Sequence, residues 1–518
     1  MKYALLLTLF VMYNINLFAQ TNAVIAFGDS RLQASSDRGL IDAAGNHVMI
    51  GRAFLQNVEN PIVSLFNANY AHQWAFALNE TGLVGSKVVQ VSNSEYVTSF
   101  STGVSSILFK FNSQGNIIWY KKTSDSHSIE GLVADSYGNV YAAGNKSADM
   151  TLYKFSITGV LIWAKKFNMG SNYFFGRGLE LTDDGNLLLV GSGTYVNTTS
   201  TKNKIGILKL SLDGDIVWQN TLSCSSISMV ANGVAKSNSK DRYLIAGYAA
   251  NMSNISTSDA LSVLIDSGGN YINNTKLSYL YWDQFYDVIP ALESGFILSG
   301  LCKPHETCGG NGIIVRMSNN NDTLKTKTYG EQAGVGVLFF DLHPRPQGYA
   351  AFGAGSHFGY WNGGYEMECV KFDNSLELGC GDYNQALSQS SLTITEVRTG
   401  IISGNITPTF TTTYTKTNVN MKSADVCNNV VLSNTKFEEI NFSLYPNPAS
   451  EQITIQPSGD TKITSMKLFN LAGQQCVHEM PNSSSKQVLL TRYLPRGIYI
   501  IELKDERGNI SRKKLVLE

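Results

Sequence analysis

Charge is scarce in this sequence, both as a fraction of the residues and as a net balance. Only 16% of the 518 residues are Asp, Glu, Lys or Arg, and the formal net charge is −1 at pH 7. No run of basic residues occurs, and long-range attraction to nucleic acid or to an anionic membrane needs such an excess of positive charge. We therefore expect no nucleic-acid partner.

Long hydrophobic stretches are equally scarce, and the only candidate lies at the N-terminus. Lys2 is followed by an apolar segment, Ala4 to Met12, and then by Leu17-Phe18-Ala19. This order is typical of an export signal, and the apolar part is shorter than the roughly 20 residues that cross a bilayer. We expect residues 1–19 to be a signal peptide and the mature protein to have no transmembrane segment. Leu17 is bulky for its position, so cleavage one or two residues away from Ala19 is the alternative.

Motifs that carry chemistry are absent as well. The sequence has no GxSxG, HExxH, Walker A or EF-hand pattern. Its seven histidines show no metal-ligand spacing. We therefore predict no catalytic residue, no cofactor and no metal site, which favours a protein that is not an enzyme and leaves enzymatic activity open.

Cysteine is sparse, with seven residues and no CxxC pair. Cys302 and Cys308 are close enough in sequence to close one loop, and Cys380 with Cys427 could join the end of the large region to the segment after it. Exported proteins meet oxidising compartments, in which disulfides form and persist. These two pairs are the candidate disulfides.

Glycine and aromatic residues are abundant, and they recur in a repeated pair of hairpins. The segment "SILFKFNSQGNIIWYKKT", from Ser106 to Thr123, combines an alternating apolar run with a lysine, a glycine turn and a second run with a tryptophan. Alternation on both sides of a glycine turn predicts a β-hairpin. Between such hairpins lies a second strand-turn-strand unit that ends on a glycine. These glycines recur about every 50 residues, at Gly144, Gly191, Gly247, Gly300 and Gly353.

Four short strands per repeat at this period are typical of a β-propeller blade. Seven hairpins of the first kind run from Trp74 to Gly379, and the first unit of the second kind spans Gly39 to Ala53. Pairing that N-terminal unit with the last hairpin would close a ring of seven blades, with the propeller over residues 20–382. A competing partner at Thr393 to Asn405 makes eight blades the alternative.

The repeat resembles the bacterial extracellular β-propeller repeat, and the resemblance covers Gly39 to about Gly381. It implies an all-β fold but says little about function, because propellers serve as enzymes, lectins and scaffolds. Trp119, Trp163 and Trp218 occupy equivalent positions, so we expect them to pack between neighbouring blades, with a sugar-stacking ring as the alternative. Two loops combine aromatic and polar residues, and their candidate ligand-binding residues are Trp282, Tyr286, Tyr360 and Trp361.

The C-terminal part of the chain follows a different pattern. Residues 383–441 are rich in Ser, Thr and Asn, which indicates a linker with some strands. From Phe442 onward, short strand-like segments predict a small Ig-like β-sandwich over residues 442–518. Four elements occur in order in this region, and their residues are Tyr445, Pro446, Asn447 and Pro448, then Gly473, then Gly497 and Tyr499, and finally Lys513 and Lys514.

In order and position these elements resemble the type A C-terminal sorting domain of proteins exported by the type IX secretion system of the Bacteroidetes phylum. The resemblance implies recognition by the secretion translocon, passage through the outer membrane and, in many members, removal of the tail. After signal-peptide export to the periplasm, we thus expect an extracellular or surface propeller that binds a glycan or a protein. The alternative is a secreted polysaccharide hydrolase or lyase with its active site in the propeller loops.

Overall fold

The structure of the protein is a computed structural model that describes the chain in segments. These are residues 23–28, 34–55, 58–102, 105–123, 127–168, 173–197, 200–251, 257–279, 281–303, 310–329, 338–355, 366–378, 382–384, 387–398, 401–425, 430–431, 442–457, 462–470, 475–479, 486–505 and 510–518. The regular elements in these segments are all β-strands. No described segment contains a helix long and apolar enough to cross a membrane. The chain divides into two compact units, Met1–Ser433 and Asn434–Glu518.

The first unit is a ring of antiparallel sheets, the blades of a propeller, and each of the first six blades takes four consecutive strands. The chain enters with β1 (Ala23–Gly28), which belongs to the last blade. Blades one to three contain β2 (Ala34–Ile41), β3 (His47–Leu55), β4 (Val58–Phe66), β5 (His72–Leu78), β6 (Val84–Ser92), β7 (Glu95–Ser101), β8 (Ser106–Asn112), β9 (Ile117–Thr123), β10 (His127–Ala134), β11 (Val140–Lys146), β12 (Asp149–Phe155) and β13 (Leu161–Asn168). Blades four to six contain β14 (Tyr173–Leu181), β15 (Asn186–Asn197), β16 (Ser200–Ser211), β17 (Ile216–Ser223), β18 (Ser228–Lys236), β19 (Arg242–Ala250), β20 (Ser258–Asp266), β21 (Tyr271–Ser278), β22 (Gln284–Pro290), β23 (Phe296–Cys302), β24 (Asn311–Met317) and β25 (Thr323–Tyr329).

The seventh blade closes the ring with a strand from the start of the chain. It contains β26 (Leu338–Arg345), β27 (Gly348–Gly355) and β28 (Glu366–Phe372), and β1 pairs with β28 as the fourth strand. The all-β, seven-bladed fold is confirmed, but the expected closure was wrong. The unit from Gly39 to Ala53 pairs with its own neighbours in blade one, and β1 closes the ring instead. β1 is buried along its whole length, so its sequence, AVIAFG, shows no polar alternation.

A chain segment that we call the belt, residues 382–425, runs around the ring in the reverse of blade order. Each of its strands is only 2–4 residues long and adds an outer strand to one blade, from blade six down to blade one and then to β1 of blade seven. These strands are β29 (Asp382–Asn384), β30 (Ser388–Ser390), β31 (Thr395–Val397), β32 (Ile402–Asn405), β33 (Phe410–Thr411), β34 (Lys416–Val419) and β35 (Lys422–Asp425), and β36 (Val430–Val431) pairs with β35. The segment from Thr393 to Asn405 therefore serves two different blades and does not form an eighth.

Apolar side chains of the belt fill the grooves between blades. Leu392 packs on the core that blades four and five share, and Ile401 packs on the core of blades three and four. The ring of Phe410 meets that of Phe155 edge-on at 5.7 Å, and Met421 is fully buried against blades one and seven. The belt thus pairs part of every outermost edge, and unpaired edges are where sheets add foreign strands.

The tryptophan and lysine of the repeat join consecutive blades. Trp74 Nε1 donates to Ser113 O at 2.8 Å, and Trp119 Nε1 donates to Ile157 O at 3.2 Å, each across to the last turn of the next blade. A Cβ on the glycine of that turn would lie 2.5–3.0 Å from the preceding tryptophan ring, as the four pairs Gly115–Trp74, Gly159–Trp119, Gly214–Trp163 and Gly269–Trp218 show. Packing between blades is therefore confirmed for these tryptophans, whose faces are covered by glycine turns rather than presented to a sugar.

The second unit is a sandwich of two antiparallel sheets. One sheet has the order β37 (Phe442–Tyr445), β38 (Gln452–Pro457) and β41 (Gln487–Leu490). The other has the order β40 (Gln475–Glu479), β39 (Ile463–Asn470), β42 (Gly497–Asp505) and β43 (Ile510–Leu517). Its core includes Ile453, Leu468, Ile501 and Leu515, all fully buried. The Ig-like sandwich expected from the sequence is confirmed.

Candidate functional site

The innermost strand of every blade carries a one-residue β-bulge at the same position. In β10, Ile129 and Gly131 pair with adjacent residues of β11, and Glu130 between them is left out of the pairing. A bulge turns its extra residue out of the ladder, and in a propeller the innermost strands surround the central channel. The seven bulged residues are Asp37, Ser86, Glu130, Arg177, Asn232, Tyr286 and Phe340.

The repeated glycines of the sequence stand beside five of these bulges, those of blades three to seven. Gly144 pairs with Ile129, and a Cβ at Gly144 would lie 1.8 Å from Ser128 O. The other four glycines of the series stand next to the bulges of their own blades, and a Cβ on any of them would come within 1.7–1.9 Å of a backbone oxygen. Only glycine lets the second strand approach this closely. The repeated glycines therefore mark the places where a bulged residue turns toward the channel.

Six of the bulged residues, together with Arg38, line a cavity of about 400 Å³ at the mouth of the channel. Blades three to five form its polar wall, and Arg177 is at the centre of this wall. Arg177 Nε donates to Glu130 Oε2 at 2.9 Å, and Nη1 donates to Asn232 Oδ1 at 2.8 Å. Asn232 Nδ2 in turn donates to Phe285 O at 2.7 Å. The wall is thus a fixed row of charged and amide groups.

Blades six and seven form an aromatic wall across the mouth. The ring centroids of Tyr286 and Phe340 are 5.1 Å apart, and the Arg38 guanidinium lies 5.8 Å from the centre of the Phe340 ring. Burial raises the pKa of Tyr286, so its hydroxyl stays a hydrogen-bond donor at neutral pH. Arg38 Nε donates to Ser86 O at 3.0 Å, which connects the aromatic wall to blade two.

Asp37, the seventh bulged residue, faces away from the mouth. Its Oδ2 accepts a hydrogen bond from Gly85 N at 2.8 Å, and its Oδ1 lies 3.4 Å from Arg52 Nη2. Burial raises the pKa of Asp37 to about 6 in spite of the attraction of Arg52. This carboxyl group links blades one and two rather than meeting a ligand.

The residues that follow the bulges form a second layer, whose two halves differ. Blades one, two, six and seven supply charged residues and blades three to five supply glycines, in the order Arg38, Lys87, Gly131, Gly178, Gly233, Asp287 and Asp341. Lys87 Nζ lies 2.5 Å from Asp341 Oδ1 and 3.7 Å from Asp287 Oδ2, so an ion-pair cluster fills one half of the channel. A cavity of about 270 Å³ lies beside the glycines.

The two carboxyl groups of this cluster differ in protonation. Burial raises the pKa of Asp287 against the attraction of Lys87. Burial would raise the pKa of Asp341 too, but Lys87 and Arg38 outweigh it and hold that pKa below its usual value. Of the two carboxyl groups, Asp287 therefore holds a proton more readily than Asp341.

Glu180 is the remaining acid at the cavity beside the glycines. It follows Arg177 by three residues on β14 and lines that cavity together with Val133 and Ile289. Burial raises the pKa of Glu180 to about 7, although Lys236 and Lys87 act in the opposite direction. No three His, Cys, Asp or Glu side chains among the described residues are grouped to hold a metal ion. The channel offers stacking, hydrogen bonding and two acids with a raised pKa, Glu180 and Asp287.

Of the four candidate ligand-binding residues, the structure places Tyr286 in the channel mouth. Trp282 is 46% exposed and does not line the cavities described above. Tyr360 and Trp361 lie outside the described residues. The sequence did not reveal Glu130, Arg177, Asn232 and Phe340, although each lies just before the strand that carries a repeated glycine. Cys302 is buried, and Cys308, Cys380 and Cys427 lie outside the described residues.

The sorting residues at the two ends of the second unit lie side by side. The peptide bonds before Pro446 and Pro448 are both cis. The Asn447 side chain bridges to the last strand, because its Nδ2 donates to Lys514 O and its Oδ1 accepts from Val516 N, both at 2.8 Å.

Three further sorting residues reinforce this arrangement. Lys513 Nζ donates to Phe442 O, and Tyr499 Oη donates to Pro495 O at 2.8 Å. Gly497 has a φ of 147°, which suits only glycine. The opening motif and the chain end therefore form one structural element. Gly473 lies outside the described residues.

Residues 443–518 match the family described as the secretion system C-terminal sorting domain. The tail is a C-terminal sorting domain. The export route expected from the sequence is thus confirmed: the protein is handled by the type IX secretion system and is delivered to the cell surface or the extracellular space. None of the curated proteins matches this chain.

Solved structures resemble the chain only distantly. A structure of the Dos1 propeller shares 9% identity over 70% of this chain and 94% of its own, with a TM-score of 0.41. The full extracellular region of plexin A4 shares 7% identity over 93% of this chain and 52% of its own, with a TM-score of 0.32. This chain therefore spans about half of that region. The count of seven blades comes from this chain's own strand pairing.

Proposed function

We propose that the exported propeller binds a glycan at the mouth of its channel. The observation that carries this proposal is the opposition of an aromatic wall, Tyr286 and Phe340, to a polar wall centred on Arg177 around a cavity of about 400 Å³. A sugar ring has an apolar face that stacks on aromatic side chains and a rim of hydroxyl groups that needs fixed donors and acceptors. A cell-surface or extracellular location brings the propeller into contact with such ligands.

The test is a glycan array probed with purified protein, followed by titration calorimetry on the glycans that bind. Tyr286→Ala removes the stacking surface, and Arg177→Ala removes the donor that holds Glu130 and Asn232 in place. Each change should weaken binding by about tenfold or more. Ile402→Ala is the matched control, because Ile402 lies in the belt and is 74% exposed. Unchanged affinity in both channel variants, or binding of a protein and of no glycan, would refute the proposal.

Polysaccharide cleavage is the second candidate function. Glycoside hydrolysis needs two carboxyl groups with different roles. Glu180 and Asp287 both line the inner cavity, and burial raises the pKa of both. New reducing ends released by the unaltered protein and not by Glu180→Gln would establish this activity. Binding without release would exclude it for the polysaccharides tested.

A further inference from the structure

Glu180 differs from every other acid at the channel because it has no partner in the described part of the chain. Glu130 is bound by Arg177 at 2.9 Å, and Asp341 is bound by Lys87 at 2.5 Å. Asp287 accepts from Leu342 N at 2.9 Å and lies 3.7 Å from Lys87. The carboxyl group of Glu180 accepts no hydrogen bond and makes no ion pair with described residues.

The described groups around Glu180 provide no free cation that pairs with its carboxylate. The charged and titratable groups that face it are Lys236 on β18, Lys87 on β6, Asp287 on β22, Asp183 in the turn after β14 and Tyr243 on β19. Lys236, the cation that lowers the pKa of Glu180 most, is already engaged, because its Nζ lies 3.1 Å from Asp183 Oδ1. Lys87 is held by the ion-pair cluster. Glu180 is half-buried, and a carboxylate that is partly removed from water and has no partner is stabilised by a ligand that brings positive charge.

Space for such a ligand exists at this point of the channel. Gly131, Gly178 and Gly233 have no side chains, and the cavity of about 270 Å³ runs along them to Glu180. Arg38, Arg177 and Glu130 border both this cavity and the mouth. A ligand stacked on Tyr286 can therefore extend a group toward Glu180.

We propose that Glu180 receives a primary ammonium group, and that the glycan is an amino sugar whose amine is not acylated. This inference rests on the proposed glycan site. A hydroxyl group would satisfy the hydrogen bonding of Glu180 but would not stabilise its ionised form as an ammonium group does. A metal ion would require a group of donors that the described residues do not provide. The aromatic wall is compatible with a cation as well, because ring faces attract ammonium groups.

The experiment compares two trisaccharides that differ only at nitrogen, one of glucosamine and one of N-acetylglucosamine. Titration calorimetry with the full exported chain should show about 10- to 100-fold tighter binding of the glucosamine form, as a charge-assisted hydrogen bond predicts. Glu180→Gln should lower the affinity for the glucosamine form to about that for the N-acetylated form, and so abolish this preference. The control Ile402→Ala should keep the preference.

Proton release gives a second readout that altered folding would not produce. At pH 6 free Glu180 is largely protonated, because its pKa is about 7, whereas the ligand amine is charged. Binding of the ammonium group must then displace close to one proton. Repeating the titration in two buffers of different ionisation enthalpy measures this number. Glu180→Gln should release none.

The outcomes separate the two proposals. Equal affinity for both trisaccharides with no proton release, and loss of binding in Tyr286→Ala, would overturn the ammonium inference and leave the glycan site standing. Binding of a lysine-containing peptide with proton release, and of neither trisaccharide, would overturn the amino sugar. Absence of any binding to sugars or peptides would overturn both.

Discussion

At the residue scale, the glycines of the repeat set the geometry of the channel. A Cβ at Gly191 would lie 1.9 Å from Phe175 O, so Gly191→Ala must push the two inner strands of blade four apart. We expect a loss of about 2–4 kcal/mol in the free energy of unfolding, as for other overpacked buried sites.

Urea denaturation of Gly191→Ala measures this loss. Gly404→Ala is the matched control, because a Cβ there would meet nothing closer than Lys166 Cε at 3.6 Å. The control should stay within about 0.5 kcal/mol of the unaltered protein, as most surface changes do. Equal stability of the two variants would mean that the bulge does not depend on glycine.

Glu180 makes the free energy of unfolding depend on pH, and denaturation experiments can measure this dependence. Burial raises its pKa from 4.5 to about 7, so between these values the folded state holds a proton that the unfolded state releases. The stability contributed by this group is therefore full below pH 4.5 and is lost as the pH rises to 7. Glu180→Gln should be about 1–3 kcal/mol more stable than the unaltered protein at pH 8, and equally stable at pH 4.5. The same difference at both pH values would contradict a raised pKa.

The sequence revealed the residues that all blades share and missed those that differ between blades. The tryptophan of four repeats meets the same glycine turn of the next blade, so one contact leaves a common pattern. The channel residues Ser86, Glu130, Arg177 and Phe340 occupy one structural position but face a common space instead of a repeated partner. Similarity between repeats therefore cannot find them. In blades three to seven the repeated glycine beside the bulge can locate them, once the bulge is known.

At the scale of elements, the belt ties the blades to one another. It reaches all seven blades with strands of at most four residues, so its attachment depends on the side chains between the strands. Met421→Ala should cost about 2–5 kcal/mol, because Met421 is fully buried in the core of blades one and seven. Ile402→Ala, in the same belt but 74% exposed, should cost less than about 0.5 kcal/mol.

Limited proteolysis locates the effect of Met421→Ala within the fold. The variant should be cut in the belt before the blades are cut, because only local opening exposes the backbone there. Cleavage first inside a blade would contradict this role of the belt.

The belt also shows where prediction from sequence ends. Its Ser, Thr and Asn content indicated a linker with some strands, because a strand such as Phe410–Thr411 is too short to show alternation. Its pairing is fixed by a partner almost 290 residues away, since Phe410 stands opposite Thr123. Blades one to six, by contrast, pair strands that are neighbours in sequence, so turns and alternation were enough to predict them, whereas the closure of blade seven by β1 was missed.

At the scale of the whole molecule, the two units have separate cores and separate tasks. The core of the sandwich is drawn entirely from residues 442–517, and the cores of the blades are drawn from the chain before it. The propeller with its belt is thus complete before the sorting domain begins. Loss of the sorting domain should therefore change the location of the protein without unfolding the propeller.

Deletion of Phe442 to Glu518 tests this separation. The truncated protein should be exported by the signal peptide, remain in the periplasm and resist added protease on intact cells, while keeping the glycan binding of the full chain. Asn447→Ala removes the bridge to Lys514 and Val516 at the chain end. Like the deletion, this variant should show reduced surface delivery. Full-length Ile402→Ala is the control and should reach the surface normally. The sorting signal depends on the joined ends of the sandwich and not on the propeller. Surface delivery of the truncated protein at the level of the control would therefore refute the assignment of the sorting signal to this domain.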